Sequence, residues 1–155
     1  MISPELLRRY PFFAGLTESQ FKAVAMLSQE STHHKGVTIF EECDAANRLY
    51  LLMEGSIDLY YRSQEELHPT MVKEFFVGEI NPGEAFGTSA IIEQNEYNAT
   101  ARTSVNSRLI EIDAVALREL MAQDPILANK ILLQVIKTLK ERVMALRVQL
   151  AAPQS

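Results

Sequence analysis

The chain has 155 residues, 47% of them hydrophobic and 23% charged. These values exclude global disorder and suit a core that folds without a disulfide or metal. Fifteen Lys and Arg against 20 Asp and Glu give a formal charge of −5, which argues against gripping nucleic acid through the overall field.

The N-terminal part reads as helical. Ser3-Pro4-Glu5 is a helix start, with Ser3 able to cap and Pro4 at the first helical position. Thr17-Glu18-Ser19-Gln20 matches a capping box, in which hydroxyl and amide satisfy each other's backbone donors. The helix it opens carries Phe21, Val24, Ala25 and Leu27 near one face and is expected to run to about Glu30.

From His34 the spacing changes to short segments rich in β-branched and aromatic residues. Strands are predicted at Val37–Phe40, Leu49–Met53, Ile57–Tyr61, Val72–Val77, Glu84–Phe86 and Leu109–Ile112. Gly36, Gly55, Gly78, Gly83 and Gly87 fall between or beside them, where the chain is expected to turn. Glu54-Gly55 reads as a hairpin, and Asn81-Pro82-Gly83 as a turn. Many short strands at close spacing point to an antiparallel roll, sandwich or barrel rather than a parallel sheet. Tyr60, Tyr61, Phe75 and Phe76 are expected to divide between core and surface faces.

After Asp113 the helical period returns, with a short helix at Ala114–Ala122. Asp124-Pro125 opens a long one reaching about Leu150, followed by a frayed tail, Ala151–Ser155. The organisation expected is one domain over 1–155: N-terminal helices at 1–33, a β-roll at 34–113 and C-terminal helices at 114–150.

The long helix carries a heptad seam. Asn129, Ile136, Val143 and Leu150 occupy one core position, and Leu132, Leu139 and Leu146 the other. β-Branched residues at the first with leucine at the second favour a parallel two-stranded coil. Against that pairing, Lys140, Arg142 and Arg147 are expected to flank the seam and set like charges near each other. The alternative is an amphipathic helix that packs only on its own domain. Leu127, Ile131 and Leu133 widen the apolar face near its start, so the helix is able to dock first and pair beyond.

No constellation of catalytic residues stands out. His33 and His34 are adjacent, so on a strand they point to opposite faces, and His68 sits in a polar loop; no metal site is expected. Neither a nucleophile elbow nor a Walker or dinucleotide glycine motif occurs, and the chain does not read as an enzyme. Cys43 has no internal partner and lies among Glu41, Glu42 and Asp44, whose charges disfavour its thiolate. A lone cysteine, no apolar run near ~20 residues and no signal-peptide pattern imply a soluble cytoplasmic protein with no membrane partner. In Pro82-Gly83-Glu84-Ala85-Phe86-Gly87-Thr88-Ser89-Ala90-Ile91-Ile92, a strand and a glycine lead into helix-forming residues. Such a turn is able to aim backbone N–H groups at an anion.

At this segment the chain resembles the cyclic-nucleotide-binding domain family, the sensor module of catabolite activators and kinase regulatory subunits. Pro11-Phe12-Phe13-Ala14-Gly15-Leu16-Thr17 resembles the family's opening helical motif. Lys35–Phe40 and Leu49–Gly55 resemble its early strands, Pro82–Gly87 the approach to its phosphate-binding cassette, and Leu109–Asp113 its last strand. The resemblance implies a jelly-roll-like β-roll with flanking helices and a long C-terminal helix. It also implies a ligand site at Phe86, Gly87, Thr88, Ser89, Ala90, Tyr97 and Asn98, and cyclic AMP or cyclic GMP as the ligand class.

Two side-chain anchors of that family are replaced. The glutamate that holds the ribose falls on Thr88, and the arginine that pairs with the cyclic phosphate falls on Tyr97. Arg102 lies five residues on, an odd offset that turns it to the other face of a strand. The family's transcription factors continue into a helix-turn-helix after the long helix, where this sequence ends, so no DNA-binding domain is expected. The expected function is a regulatory sensor that binds a small ligand, cyclic nucleotide only weakly, and signals through a homodimer formed by Leu132, Ile136, Leu139, Val143 and Leu146. The alternative is a ligand-free dimerisation or protein-interaction module with a vacant pocket.

Overall fold

The computed structural model describes residues 1–64, 72–92 and 96–152. The loop expected to carry His68 and tail residues 153–155 lie outside the described residues. The chain forms α1 (Pro4–Arg8), a 3-10 turn (Pro11–Phe13) and α2 (Glu18–Met26) before entering the β region. Strands β1 (Ser28–His33), β2 (Thr38–Phe40), β3 (Arg48–Glu54), β4 (Ile57–Gln64) and β5 (Val72–Ile80) follow. After them come β6 (Ala85–Phe86), a 3-10 turn (Thr88–Ile91), β7 (Thr100–Thr103) and β8 (Ser107–Asp113). Helices α3 (Ala114–Gln123) and α4 (Pro125–Ala151) complete the chain.

The strands form two antiparallel four-stranded sheets, ordered β1-β8-β3-β6 and β2-β7-β4-β5. Their inner faces enclose Tyr50, Leu52, Ile57, Leu59, Phe86, Ala101 and Leu109. The outer face of the first sheet presents Leu49, Leu51, Ile110 and Ile112 to a second core built with Phe13, Phe21, Leu117, Leu127 and Ile131 from the helices. Both faces of β3 are therefore covered, which accounts for four consecutive apolar residues at Leu49–Leu52 in place of strict alternation.

Both N-terminal caps form as expected: Ser3 Oγ accepts from the Glu5 N–H, and Thr17 and Gln20 make the reciprocal capping box. Several expectations are corrected. The second helix stops at Met26 instead of about Glu30, and Ser28–His33, expected to close the N-terminal helical region, is an edge strand paired with β8. Ser28 donates to the Val24 carbonyl at 2.7 Å and fastens the helix end to the strand start. Glu54-Gly55 is not a hairpin: β3 and β4 belong to different sheets, and the segment is the corner where the chain changes sheet. Gly78 is not in a turn but inside β5, opposite Leu59, where the register with β4 shifts by one residue. Strand β7, in the middle of the second sheet, lies outside the six predicted segments. Tyr61, Phe75 and Phe76 are all exposed and Tyr60 is half-buried, so none of these rings reaches the core.

Asp124 caps α4, its carboxylate accepting from the Leu127 N–H at 3.1 Å and from the Gln20 amide at 3.1 Å. The Leu127 N–H, followed by the Gln20 amide, holds the Asp124 carboxyl below its ordinary value. A carboxyl whose folded pKa is depressed contributes stability above its unfolded value, about 4, and loses it as pH falls through the folded value. Asp124→Asn keeps a capping oxygen and removes the charge. Urea unfolding across pH is expected to show a gap between wild type and variant that is constant near neutrality and closes as acid protonates Asp124. A gap unchanged down to pH about 2 contradicts this assignment.

Candidate functional site

The site is built from three elements: the β6 strand and the turn after it, the segment entering β7, and the inner face of α4. Ala85 and Phe86 pair with Leu51 and Tyr50 on β3. The chain then enters the Thr88–Ile91 turn through Gly87, which has φ of +70°. Two constraints select glycine here. The left-handed backbone disfavours a side chain, and a Cβ would lie 3.1 Å from the Tyr50 ring and 3.2 Å from the Tyr97 ring. The Ala90 carbonyl accepts from the Arg118 guanidinium of α3 at 2.5 Å, so the turn is tied to the C-terminal helices.

Tyr97 occupies the interior. Its ring stacks on Phe40 with centroids 3.8 Å apart, and Phe40 lies within 5.6 Å of Tyr50 and 6.1 Å of Phe86. The Tyr97 hydroxyl donates to the Arg48 carbonyl at 2.6 Å and accepts from the Arg48 N–H at 3.2 Å. Both of its hydrogen-bonding roles are thus taken by β3 backbone. Burial pushes the phenol pKa up, as it does for Tyr50, so both rings stay neutral at physiological pH. The segment is held on both sides, because the Tyr97 N–H donates to the Asp44 carbonyl and the Tyr97 carbonyl accepts from the Cys43 N–H.

Of the predicted site residues, Phe86, Ala90 and Tyr97 share this buried cluster and Thr88 is buried beside it. Gly87 is half-buried against two of the rings, and Ser89 is half-buried. Asn98 is exposed. Arg102 points away as its odd offset implied: on the outer surface it makes a two-pronged pair with Glu74 at 3.1 and 3.2 Å and lies over the Tyr60 ring.

The long helix divides its faces. Leu127, Ile131 and Val135 are buried against the domain, whereas Leu132, Ile136, Leu139, Val143 and Leu146 are exposed. Leu133 is exposed as well and does not widen the docked face. Arg142 overturns one expectation. It does not flank the seam but turns inward, donating to the Ala85 carbonyl at 2.5 Å. Its position continues the docked face through Val135 and Thr138, a spacing of three and four that was available in the sequence.

A roll of two sheets and a glycine-led turn are closed on one side by a helix, with a cleft of about 290 Å³ between helix and roll. The cyclic nucleotide-binding domain family matches residues 30–124, and this chain belongs to it. A crystal structure from Geobacter metallireducens GS-15 bearing a cyclic nucleotide-binding designation is 34% identical. It superposes with a TM-score of 0.80 over 92% of this chain and 99% of that one. The CRP-like cAMP-activated global transcriptional regulator of Mycobacterium tuberculosis is 25% identical over 128 residues, 83% of this chain and 54% of that protein. The catabolite activator protein of Thermus thermophilus shares the fold, with a TM-score of 0.68 at 22% identity, covering 90% of this chain and 62% of that one. The chain spans between 30% and 58% of the length of the curated relatives it matches. Among the described residues no helix is long and apolar enough to cross a membrane.

Proposed function

We propose that this domain is a non-enzymatic regulatory sensor whose pocket has lost its preference for ordinary cyclic AMP and whose long helix pairs with a second copy. The observation that carries the first part is the commitment of Tyr97 to the Arg48 backbone, at the position where the family's phosphate-pairing arginine falls. A cyclic phosphate keeps its negative charge at neutral pH, and a tyrosine already bonded in both directions offers it nothing. Thr88 likewise brings no carboxylate to a ribose hydroxyl. If each lost charged contact is worth about 1.5 kcal/mol, the two weaken binding roughly a hundred-fold.

The pairing part is supported by the exposed faces of Ile136, Leu139, Val143 and Leu146 in one heptad register, separate from the residues that dock the helix. The inward turn of Arg142 removes one of the three like charges that oppose a symmetric pair. A second reading, a dimerisation module with no ligand, is favoured by the stacked rings of Phe40, Tyr50, Phe86 and Tyr97 that fill the interior.

A thermal stability screen separates the two, since a ligand that binds only the native state raises its melting temperature. Cyclic AMP and cyclic GMP at tens of micromolar are expected to leave it unchanged, with a rise for another small ligand. A full shift with micromolar cyclic AMP contradicts the altered pocket. No shift with any compound favours the ligand-free module.

A further inference from the structure

Beyond Tyr60 the ribbon of β4 and β5 runs on without β7, which pairs with β4 as far as that residue, and β5 is the edge of the sheet. Alternation along β4 puts Tyr61 on the same face as the buried Ile57 and Leu59. Phe75 stands directly opposite Tyr61 in the register, so the two side chains share that face. They are 51% and 49% exposed, and neither joins either buried core. Tyr60 and Phe76 form the next pair and lie on the other face, where Arg102 covers the Tyr60 ring. The inner face thus emerges from the roll carrying two large apolar side chains side by side.

This face begins where α4 ends its docking. Leu59 and Val77 line one wall of the cleft whose other wall holds Arg142 and Ala145. Tyr61 is two residues past Leu59 and Phe75 two residues past Val77, about 6–7 Å farther along each strand. The heptad fixes what a second copy brings to this level. Arg142 immediately precedes the seam position of Val143, and Arg147 immediately follows that of Leu146. In a parallel two-stranded coil these two flanking positions meet across the pair, so position 147 of one helix lies beside position 142 of the other. Arg142 is turned inward to the Ala85 carbonyl and leaves that place open. Arg147 is exposed and forms no ion pair among the described residues; its guanidinium donates to Met144 Sδ at 3.7 Å.

We propose that the inner face of the β4–β5 ribbon receives the last turns of a second copy's long helix, with the partner's Arg147 lying over the Tyr61 and Phe75 rings. This deepens the pairing reading and rests on it, since the seam must first bring the two helices together. A guanidinium is attracted to the negative face of an aromatic ring, and its methylene stem covers apolar surface. The contact gives the exposed rings an occupant. It also turns Arg147 from a charge that opposes a symmetric pair into one that favours it.

The test measures the dimer dissociation constant of the 155-residue chain by sedimentation equilibrium, for wild type, Tyr61→Ser, Phe75→Ser, Phe76→Ser and Arg147→Gln. Arg147→Gln is expected to weaken the pair by about 5–25-fold, because one cation–ring contact contributes a factor of about 2–5 and two-fold symmetry uses it twice. Tyr61→Ser and Phe75→Ser are expected to weaken it at least as much. Phe76→Ser removes a ring of similar exposure from the other face of the same strand and is expected to stay within about threefold of wild type. Arg147→Gln lies on an exposed helix face and keeps the test open where a ribbon variant does not fold. A pair that tightens in Arg147→Gln shows that the arginine stands as a like charge beside the seam, and overturns the assignment. Tyr61→Ser and Phe75→Ser no weaker than Phe76→Ser overturn it too, leaving the seam intact and the ribbon face to a different partner. If wild type is a single chain at micromolar concentration, the pairing reading itself fails and the assignment fails with it.

Discussion

Gly55→Ala is expected to destabilise the protein by about 2–5 kcal/mol, the sum of a left-handed backbone penalty and an overpacking penalty. Gly55 has φ of +104°, and a Cβ built there lies 2.2 Å from Ser107 Oγ, 2.7 Å from the Asn106 carbonyl oxygen and 2.8 Å from Ser107 Cα. Two of those atoms are backbone and cannot swing aside. The serine hydroxyl is itself engaged, accepting from the Ser56 N–H and donating to the Val105 carbonyl. This is the corner where the chain passes from one sheet to the other, so a shift there disturbs β4 and β8 together. Since whole domains are stable by about 5–15 kcal/mol, the loss is a large fraction of the total. Gly78→Ala provides the contrast, because a Cβ there meets nothing within 4 Å and the backbone is ordinary; it is expected to stay within about 0.5 kcal/mol of wild type. Urea denaturation of the two variants checks both figures, and a cost for Gly55→Ala no larger than for Gly78→Ala contradicts this account of the corner.

The second large effect concerns assembly. Light scattering is expected to give wild type twice the chain mass at micromolar concentration, and the Leu139→Asp, Val143→Asp double variant the mass of one chain. Each aspartate would place an unpaired charge in an apolar seam, and two-fold symmetry doubles the number. Weakening of the pair by about a thousandfold, roughly 4 kcal/mol, is a modest expectation for four such charges. Both side chains are exposed in the single chain, so the variant's own fold and circular dichroism are expected to be preserved. Wild type running as one chain at that concentration would leave α4 as a private helix of the domain. A double variant that stays paired would move the interface off this seam.

The β-roll was legible because glycines and β-branched runs punctuate the middle of the chain. Helix starts were legible because Ser3, Thr17 and Asp124 carry their caps in their own side chains. What escaped depended on partners distant in sequence. Ser28–His33 is polar because it lies at a sheet edge with little to bury, and only its pairing with β8 makes it a strand. Thr100–Thr103 is short and three of its four residues are polar, yet Thr100, Ala101 and Thr103 are buried at the centre of a sheet. Glu54-Gly55 has hairpin composition, and composition does not say whether the next strand joins the same sheet.

The site divides in the same way. The replacement of both family anchors by Thr88 and Tyr97 was readable position by position. The destination of the Tyr97 hydroxyl was not, because Arg48 is 49 residues away. Arg142 was read with its neighbours Lys140 and Arg147 as a charge beside the seam. Its place in the 127, 131, 135, 138, 142 series points inward instead, and only the Ala85 carbonyl opposite explains how a cation is accommodated there.

The altered pocket is tested most directly by calorimetric titration of the 155-residue chain with cyclic AMP, run beside a Thr88→Glu, Tyr97→Arg variant. Replacing Tyr97 also removes its ring from the stack, so a melting curve must first show that the variant is folded. The account predicts no saturable binding by wild type in the micromolar range, and a gain of affinity in the folded variant. Wild-type binding of one cyclic AMP per chain at micromolar or tighter affinity would contradict it.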